Sequence, residues 1–260
     1  MLVGGLDVGS ARVKALLMEE GSVVGSAVLE TGPRAAESAE RAFSRALEGA
    51  GRRWEEVAYC VGTGERVRGL GFVREERPAL LCLARASSLV PGVGTVVEVG
   101  AHTTRVIAVE GGRVLDYGTN DRCAAGAGSF LEMLGEVLGV GLEGWDEVVA
   151  GSTHPLSITS QCTVFAESEV VALLNEGKEV RDIAAAVTRA IAGRVASIVR
   201  RVGVRGEVLA TGGVSRLESF LKALEEQLGR KVKRFPQDPI LAGAYGACLL
   251  ARERVNESLR

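Results

Sequence analysis

Two cysteines carry the most distinctive chemistry in this chain. Cys123 sits in Asn120-Asp121-Arg122-Cys123-Ala124-Ala125-Gly126-Ala127-Gly128, ahead of the apolar-periodic stretch from Ser129 to Leu138. Cys162 sits in Ile158-Thr159-Ser160-Gln161-Cys162-Thr163, ahead of a second such stretch through Val171. Each thiol is expected at the opening of a helix, where backbone N–H groups and the helix dipole favour the thiolate. That makes two candidate soft ligands. Neither belongs to a C-x-x-C pair, so spacing alone does not define a metal site, and a buried small hydrophobe remains the competing reading.

Three glycine turns suggest a second chemistry. Asp7-Val8-Gly9-Ser10 ends one apolar strand and leads into another, so its Gly9 and Ser10 N–H groups could cradle phosphate while Lys14 neutralises charge. Asp7 could hold Mg²⁺ through water. Glu98-Val99-Gly100-Ala101 repeats that shape, and Thr211-Gly212-Gly213-Val214 follows a third strand and opens a helix, leaving N–H groups for a nucleoside. A tight hairpin or ordinary α/β packing would explain any one of these turns; their recurrence in this order points to a nucleotide.

The elements around these turns form a pattern. Leu2 to Leu6, Val13 to Met18 and Val23 to Leu29 read as strands, followed by a helix over about Ala35–Ala50 and a strand at Val57–Val61 that opens into Gly62-Thr63-Gly64. The unit restarts at Thr95–Gly100, with Thr104–Val109 and Val114–Tyr117 as its next strands. Repetition of strand, acid, turn and strand predicts two copies of one subdomain around a nucleotide cleft. Helices are expected from Pro78 to about Ser88, to about Asn175, over Val180–Val202, near Arg216 to Leu228 and from Pro239 to Glu253.

Bulk properties narrow the field. At 260 residues with a net charge of −2, the chain has no basic field for nucleic acid. No apolar run approaches the roughly 20 residues needed to cross a bilayer, and no signal peptide is evident. Five cysteines without framework spacing fit a reducing, cytoplasmic setting. Cys60, Cys82 and Cys248 read as core thiols.

Taken together, the motifs resemble the ATPase superfamily of actin, the sugar kinases and the heat-shock chaperone ATPase domain. Within it, the chain is most similar to the activators of 2-hydroxyacyl-CoA dehydratases and the ATPase subunits of benzoyl-CoA reductases. The stretches around Cys123 and Cys162 carry that likeness most specifically. Gly4–Ser10, Val61–Gly64, Thr211–Val214 and Pro239–Ala247 add to it. The resemblance implies an α/β fold of two ribonuclease-H-like subdomains, 1–93 with 239–260 and 94–238. It implies a homodimer whose subunits share one [4Fe-4S] cluster, each giving Cys123 and Cys162. It also implies ATP hydrolysis driving an electron, supplied by a reduced ferredoxin or flavodoxin, to an iron–sulfur dehydratase or reductase. ATP/ADP would meet Gly9, Ser10, Lys14, Gly100, Ala101, Gly126, Gly128, Gly212, Gly213 and Val214, with Asp7, Glu98 and His102 catalytic and Asp7 on Mg²⁺.

The chain departs from that family at the second turn, usually Asp-Ile-Gly-Gly-Gln-Asp. Here it reads Glu98-Val99-Gly100-Ala101-His102-Thr103. His102 replaces the glutamine and is open to two readings, orienting water or sitting on a surface turn. Slower hydrolysis is the expectation. A small-molecule kinase and a nucleotide-binding regulatory protein of the same fold remain the alternatives.

Overall fold

The computed structural model describes residues 1–64, 66–120, 127–158 and 163–258. Cys123, Gly126 and Cys162 lie outside the described residues. The chain divides into two compact units, Met1–Val93 with Val109–Leu115 and Phe235–Arg260, and Gly94–Ala108 with Asp116–Arg234. The hairpin tip 109–115 and residues 235–238 thus count with the first unit.

In the first unit, β1 (Leu2–Val8), β2 (Arg12–Glu19) and β3 (Ser22–Glu30) are followed by α1 (Ala35–Ala50), β4 (Val57–Gly64), β5 (Glu75–Glu76) and α2 (Ala79–Ser87). Its sheet runs β3-β2-β1-β4-β5, with β2 antiparallel and β4 parallel to β1. β1 is buried along its whole length, as a central strand covered on both faces must be. Asp7 is expected in the turn that ends this strand. It lies inside β1 instead, paired with Lys14 on β2 and Thr63 on β4.

The α1 helix follows from its apolar spacing: Ala39, Ala42, Phe43, Ala46 and Leu47 are buried on one stripe. It ends at Gly51 in the left-handed conformation, whose N–H bonds back to the last turn. Phe43 stacks on Trp54 with ring centroids 4.9 Å apart. The last helix, α8 (Ala242–Ser258), packs its small residues on β1 and α2. Cys60, Cys82 and Cys248 are buried there, as expected. Burial pushes the Cys60 thiol up to about 12, while the Cys248 thiol donates to the Leu16 carbonyl at 3.1 Å.

In the second unit the strands are β6 (Val93–Val99), β7 (Thr104–Glu110), β8 (Arg113–Thr119), β9 (Glu207–Thr211) and β10 (Val232–Arg234). They lie in the order β10-β9-β6-β7-β8. Among the described residues five α-helices complete it: α3 (Ala127–Leu138), α4 (Trp145–Ala150), α5 (Thr163–Asn175), α6 (Val180–Val202) and α7 (Glu218–Leu228). Its core gathers Val97, Val106, Phe130, Leu134, Trp145, Ile183, Val187, Ile191, Val195 and Phe220. α6 is buried all round from Asp182 to Thr188 and then on one stripe, Ile191, Ala192, Val195, Ala196 and Val199, as an amphipathic helix is. The α/β class expected from the sequence therefore holds, and so does the repetition of its opening strands.

Candidate functional site

The first turn is built around an ion pair. Lys14 Nζ donates to Asp7 Oδ2 at 3.0 Å, with both side chains nearly buried (13% and 11% exposed). The register of β1 and β2 makes the two residues direct partners, so the pair follows from strand alternation. Gly243 at the start of α8 lies against the same carboxylate; a Cβ there would sit 2.9 Å from Asp7 Oδ2. The Gly9 N–H, expected to serve phosphate, donates to Arg12 O at 3.1 Å and closes the turn. The Thr31 hydroxyl donates to Gly9 O at 2.8 Å.

The second turn repeats this arrangement. Glu98 and Arg105 are register partners on β6 and β7, and Arg105 Nη1 donates to Glu98 Oε2 at 2.5 Å. Arg105 thus occupies the place of Lys14, an equivalence the sequence reading passed over. The Gly100 N–H donates to Thr103 O at 3.0 Å, the counterpart of Gly9 to Arg12. Ala101 and His102 follow in the same turn, and His102 Nε2 lies 3.1 Å from Ser129 Oγ on α3. His102 is exposed in this turn and tied to the opening of α3 by that contact. Gly128 donates to Gly100 O at 3.1 Å and Ser129 to Ala101 O at 3.0 Å.

A third correspondence concerns the strands beside these turns. Gly64 (φ +105°) closes β4, and a Cβ on it would lie 2.2 Å from Val8 O. Gly212 (φ +86°) follows β9, and a Cβ on it would lie 2.4 Å from Val99 O. The preceding residues, Thr63 and Thr211, both bury a hydroxyl without a hydrogen-bond partner. Left unmade, such a bond costs on the order of 1–3 kcal/mol. After Gly212 the chain makes a single short turn, Gly213–Arg216, so Gly213 and Val214 open that turn and α7 begins later, at Glu218. The 3₁₀ turn replaces the expected direct entry into a helix.

Two anchored segments lie ahead of the cysteines in the chain. The Asp182 carboxylate at the start of α6 accepts from the His154 N–H (2.9 Å), the Ser152 hydroxyl (2.8 Å) and the Thr153 N–H (2.8 Å). These bonds hold its pKa down to about 2. Asn120 Oδ1 accepts from the Thr104 N–H at 2.8 Å while its Nδ2 donates to His102 O at 3.2 Å. Among the described residues, no three His, Cys, Asp or Glu side chains converge into a metal site.

Known proteins resemble this chain along nearly its whole length. The (R)-2-hydroxyglutaryl-CoA dehydratase activating ATPase of Acidaminococcus fermentans is 36% identical over 253 residues, 96% of each chain. The crystal structure of component A of that organism's dehydratase superposes with a TM-score of 0.94 at 36% identity, covering 98% of this chain and 99% of its own. The activator of the 2-hydroxyisocaproyl-CoA dehydratase from Clostridium difficile, solved with bound ADPNP, gives 0.93 at 31% identity, covering 100% of this chain and 97% of its own. The model of the BadF/BadG/BcrA/BcrD ATPase family matches residues 5–251, and this chain belongs to that family.

Proposed function

We propose that this chain is an ATP-dependent activator: it uses nucleotide hydrolysis to pass a low-potential electron to an iron–sulfur dehydratase or reductase acting on a CoA thioester. The position of the helices carries the reading. α5 begins at Thr163, the residue after Cys162, and α3 begins at Ala127, shortly after Cys123. Two thiols ahead of two helix N-termini are suited to thiolate ligation.

The donor set fits an iron–sulfur cluster, because thiolates are its ordinary ligands and four are usual. Cys123 and Cys162 supply two per chain, so a second copy would complete the set. A bound [4Fe-4S] cluster would supply one-electron chemistry, recharged by a reduced ferredoxin or flavodoxin. The rest falls to the chain's own groups. Lys14 keeps the Asp7 carboxylate in place, where it would hold Mg²⁺ through water. Arg105 fixes Glu98 in the same way. His102 would order the attacking water beside Glu98, and the Gly212–Val214 turn would receive the nucleoside. The ADPNP-bound relative supports nucleotide as the ligand.

The test is anaerobic. The purified protein should be brown, hold about four irons per dimer, and give an EPR signal on reduction with dithionite. Cys123→Ser and Cys162→Ser should each abolish all three. A colourless wild-type protein after anaerobic reconstitution with iron and sulfide would overturn the reading.

A further inference from the structure

We propose that Thr63 is a positioning residue of the first phosphate turn: with the Asp7 carboxylate, its buried hydroxyl receives the water shell of a divalent cation carried by the nucleotide. This rests on the nucleotide reading above and adds to it a residue from outside the turn motif.

The starting point is an unmade hydrogen bond. Among the described residues, only Thr63 Oγ1 and Thr211 Oγ1 are buried side-chain atoms without a hydrogen-bond partner. Other buried hydroxyls are satisfied locally: Ser87 donates to Ala84 O, Thr95 to Arg205 O, Thr188 to Ala184 O and Ser215 to Thr211 O. Native folds pair nearly all their buried polar atoms, so an orphan marks a place for water, an ion or a ligand.

Placement says which. β1 and β4 run parallel with Asp7 opposite Thr63, and register partners share a face of the sheet. A Cβ on Gly5 would meet Ala244 O and Cys248 N, and one on Gly243 would lie 2.9 Å from Asp7 Oδ2, so Gly5 and Asp7 face α8. Lys14, Asp7 and Thr63 therefore form one row across β2, β1 and β4: an ammonium, a carboxylate and a hydroxyl. Lys14 donates to Asp7 Oδ2 at 3.0 Å, which leaves Asp7 Oδ1 and Thr63 Oγ1 without a partner among the described residues. Both can accept. Water bound to a divalent cation donates its protons outward, and Mg²⁺ keeps several of its waters, so this acceptor pair suits that shell. A phosphate oxygen, itself an acceptor, would suit the hydroxyl alone.

The next residue holds the hydroxyl in place. Gly64, at φ +105°, lies so close to β1 that a Cβ on it would come 2.2 Å from Val8 O, which pins the end of β4 one residue past the Asp7–Thr63 pair. The second copy repeats the device. Gly212 stands to Val99 as Gly64 stands to Val8, which sets Thr211 beside Glu98. An unpaired threonine ahead of the same glycine in both copies is a feature of the repeated unit, not an accident of packing at one place.

Isothermal titration of ADPNP into the anaerobically purified protein, once with MgCl₂ and once with EDTA, gives the factor by which the cation tightens binding. Thr63→Val removes the hydroxyl and keeps the branched shape. It should cut that factor about fivefold, the loss of roughly one hydrogen bond, and leave binding in EDTA unchanged. Thr63→Ser should keep the wild-type factor. The nucleotide-free Thr63→Val protein should melt at or above the wild-type temperature, because the exchange removes an unpaired buried hydroxyl. A variant that keeps the full magnesium factor would overturn the assignment. So would one that loses affinity equally with and without magnesium, which would put the hydroxyl on phosphate, or one that melts well below wild type, which would put it in the fold. A wild type whose ADPNP affinity ignores magnesium would overturn the cation reading itself, a result the variants cannot mimic.

Discussion

Replacing Gly212 with alanine probes a close backbone approach at the candidate site. Two costs add. First, φ of +86° with ψ of 167° belongs to a region that only glycine occupies comfortably, and forcing an L-residue there costs about 1–3 kcal/mol. Second, the new Cβ would fall 2.4 Å from Val99 O, whereas real Cβ contacts essentially never come below 3.0 Å, so strand or turn must yield by at least the difference, 3.0 − 2.4 = 0.6 Å. Overpacking of that kind costs about 1–3 kcal/mol. The sum is about 2–6 kcal/mol, which a protein of ordinary stability survives at 25 °C. At about 2–4 °C per kcal/mol for a chain of this size, melting should fall by roughly 10 °C.

The displaced turn should also bind nucleotide less well. At a concentration 100 times Kd, ADPNP stabilises the wild type by about 2.7 kcal/mol; a tenfold weaker site gains only about 1.4 kcal/mol at the same concentration, so the ligand-induced rise in Tm should roughly halve. Differential scanning fluorimetry with and without Mg·ADPNP reads both effects. Gly64→Ala provides the matched control, since its Cβ would meet Val8 O at 2.2 Å. A Gly212→Ala protein that melts within about 2 °C of wild type and keeps the full ADPNP shift would refute the argument.

Two further perturbations test the second unit's scaffold. The N-terminus of α7 has Leu217 at its cap position and no side-chain cap of its own; instead Asp146 accepts from Glu218 N (2.9 Å), Ser219 N (2.8 Å) and Ser219 Oγ (2.5 Å). Asp146→Ala should therefore cost about 1–2 kcal/mol in urea unfolding, the range of a lost N-cap, and an unchanged midpoint would contradict it. Asp182 has its pKa lowered from 3.8 to about 2 in the fold, so the unfolded chain binds more protons in that interval. Its stabilisation is complete above pH 4 and drains away as pH falls toward 2. The urea midpoints of wild type and Asp182→Asn should converge over that range, and a constant gap would exclude Asp182 as the source.

Much of this was legible in the sequence because it is local. The limits of α1 and α6 fell where apolar periodicity placed them, Ala35–Ala50 and Val180–Val202. The repeated strand pairs followed from two similar strings. What escaped was either too short for a period or too distant in the chain. α4 spans six residues, fewer than two turns, yet it contributes the fully buried Trp145, whose indole N–H donates to Thr188 Oγ1 at 2.9 Å. The Asp146 cap links residues 73 apart, and no local pattern announces such a partner. Arg105 was visible in principle: it stands seven residues after Glu98, as Lys14 stands seven after Asp7. The signal was there, and the change from lysine to arginine hid it.

That lysine-to-arginine exchange belongs to a larger asymmetry between the copies. Both turns keep the acid, the basic partner on the next strand, the N–H that closes the turn, and a glycine that meets the strand end at positive φ. Features kept in both are those the hairpin needs of itself. They diverge in what holds the first glycine's carbonyl. In the first copy a threonine hydroxyl does so, and the chain then runs on into α1. In the second the backbone N–H of Gly128 does, on the helix that follows Cys123. Thr31 adds a backbone bond to the first turn, its N–H donating to Ala11 O at 2.9 Å, as the Ser129 N–H donates to Ala101 O at 3.0 Å in the second. Both copies therefore carry a backbone tie on the turn, and they differ in whether the first glycine's carbonyl meets a side-chain or a backbone donor. A Thr31→Val exchange, which loses one hydroxyl bond, should cost about 0.5–1.5 kcal/mol in urea unfolding, and a Gly128→Ala exchange, whose Cβ would lie 2.9 Å from Gly100 O, about 1–3 kcal/mol; an unchanged midpoint in either variant would contradict the contact assigned to it.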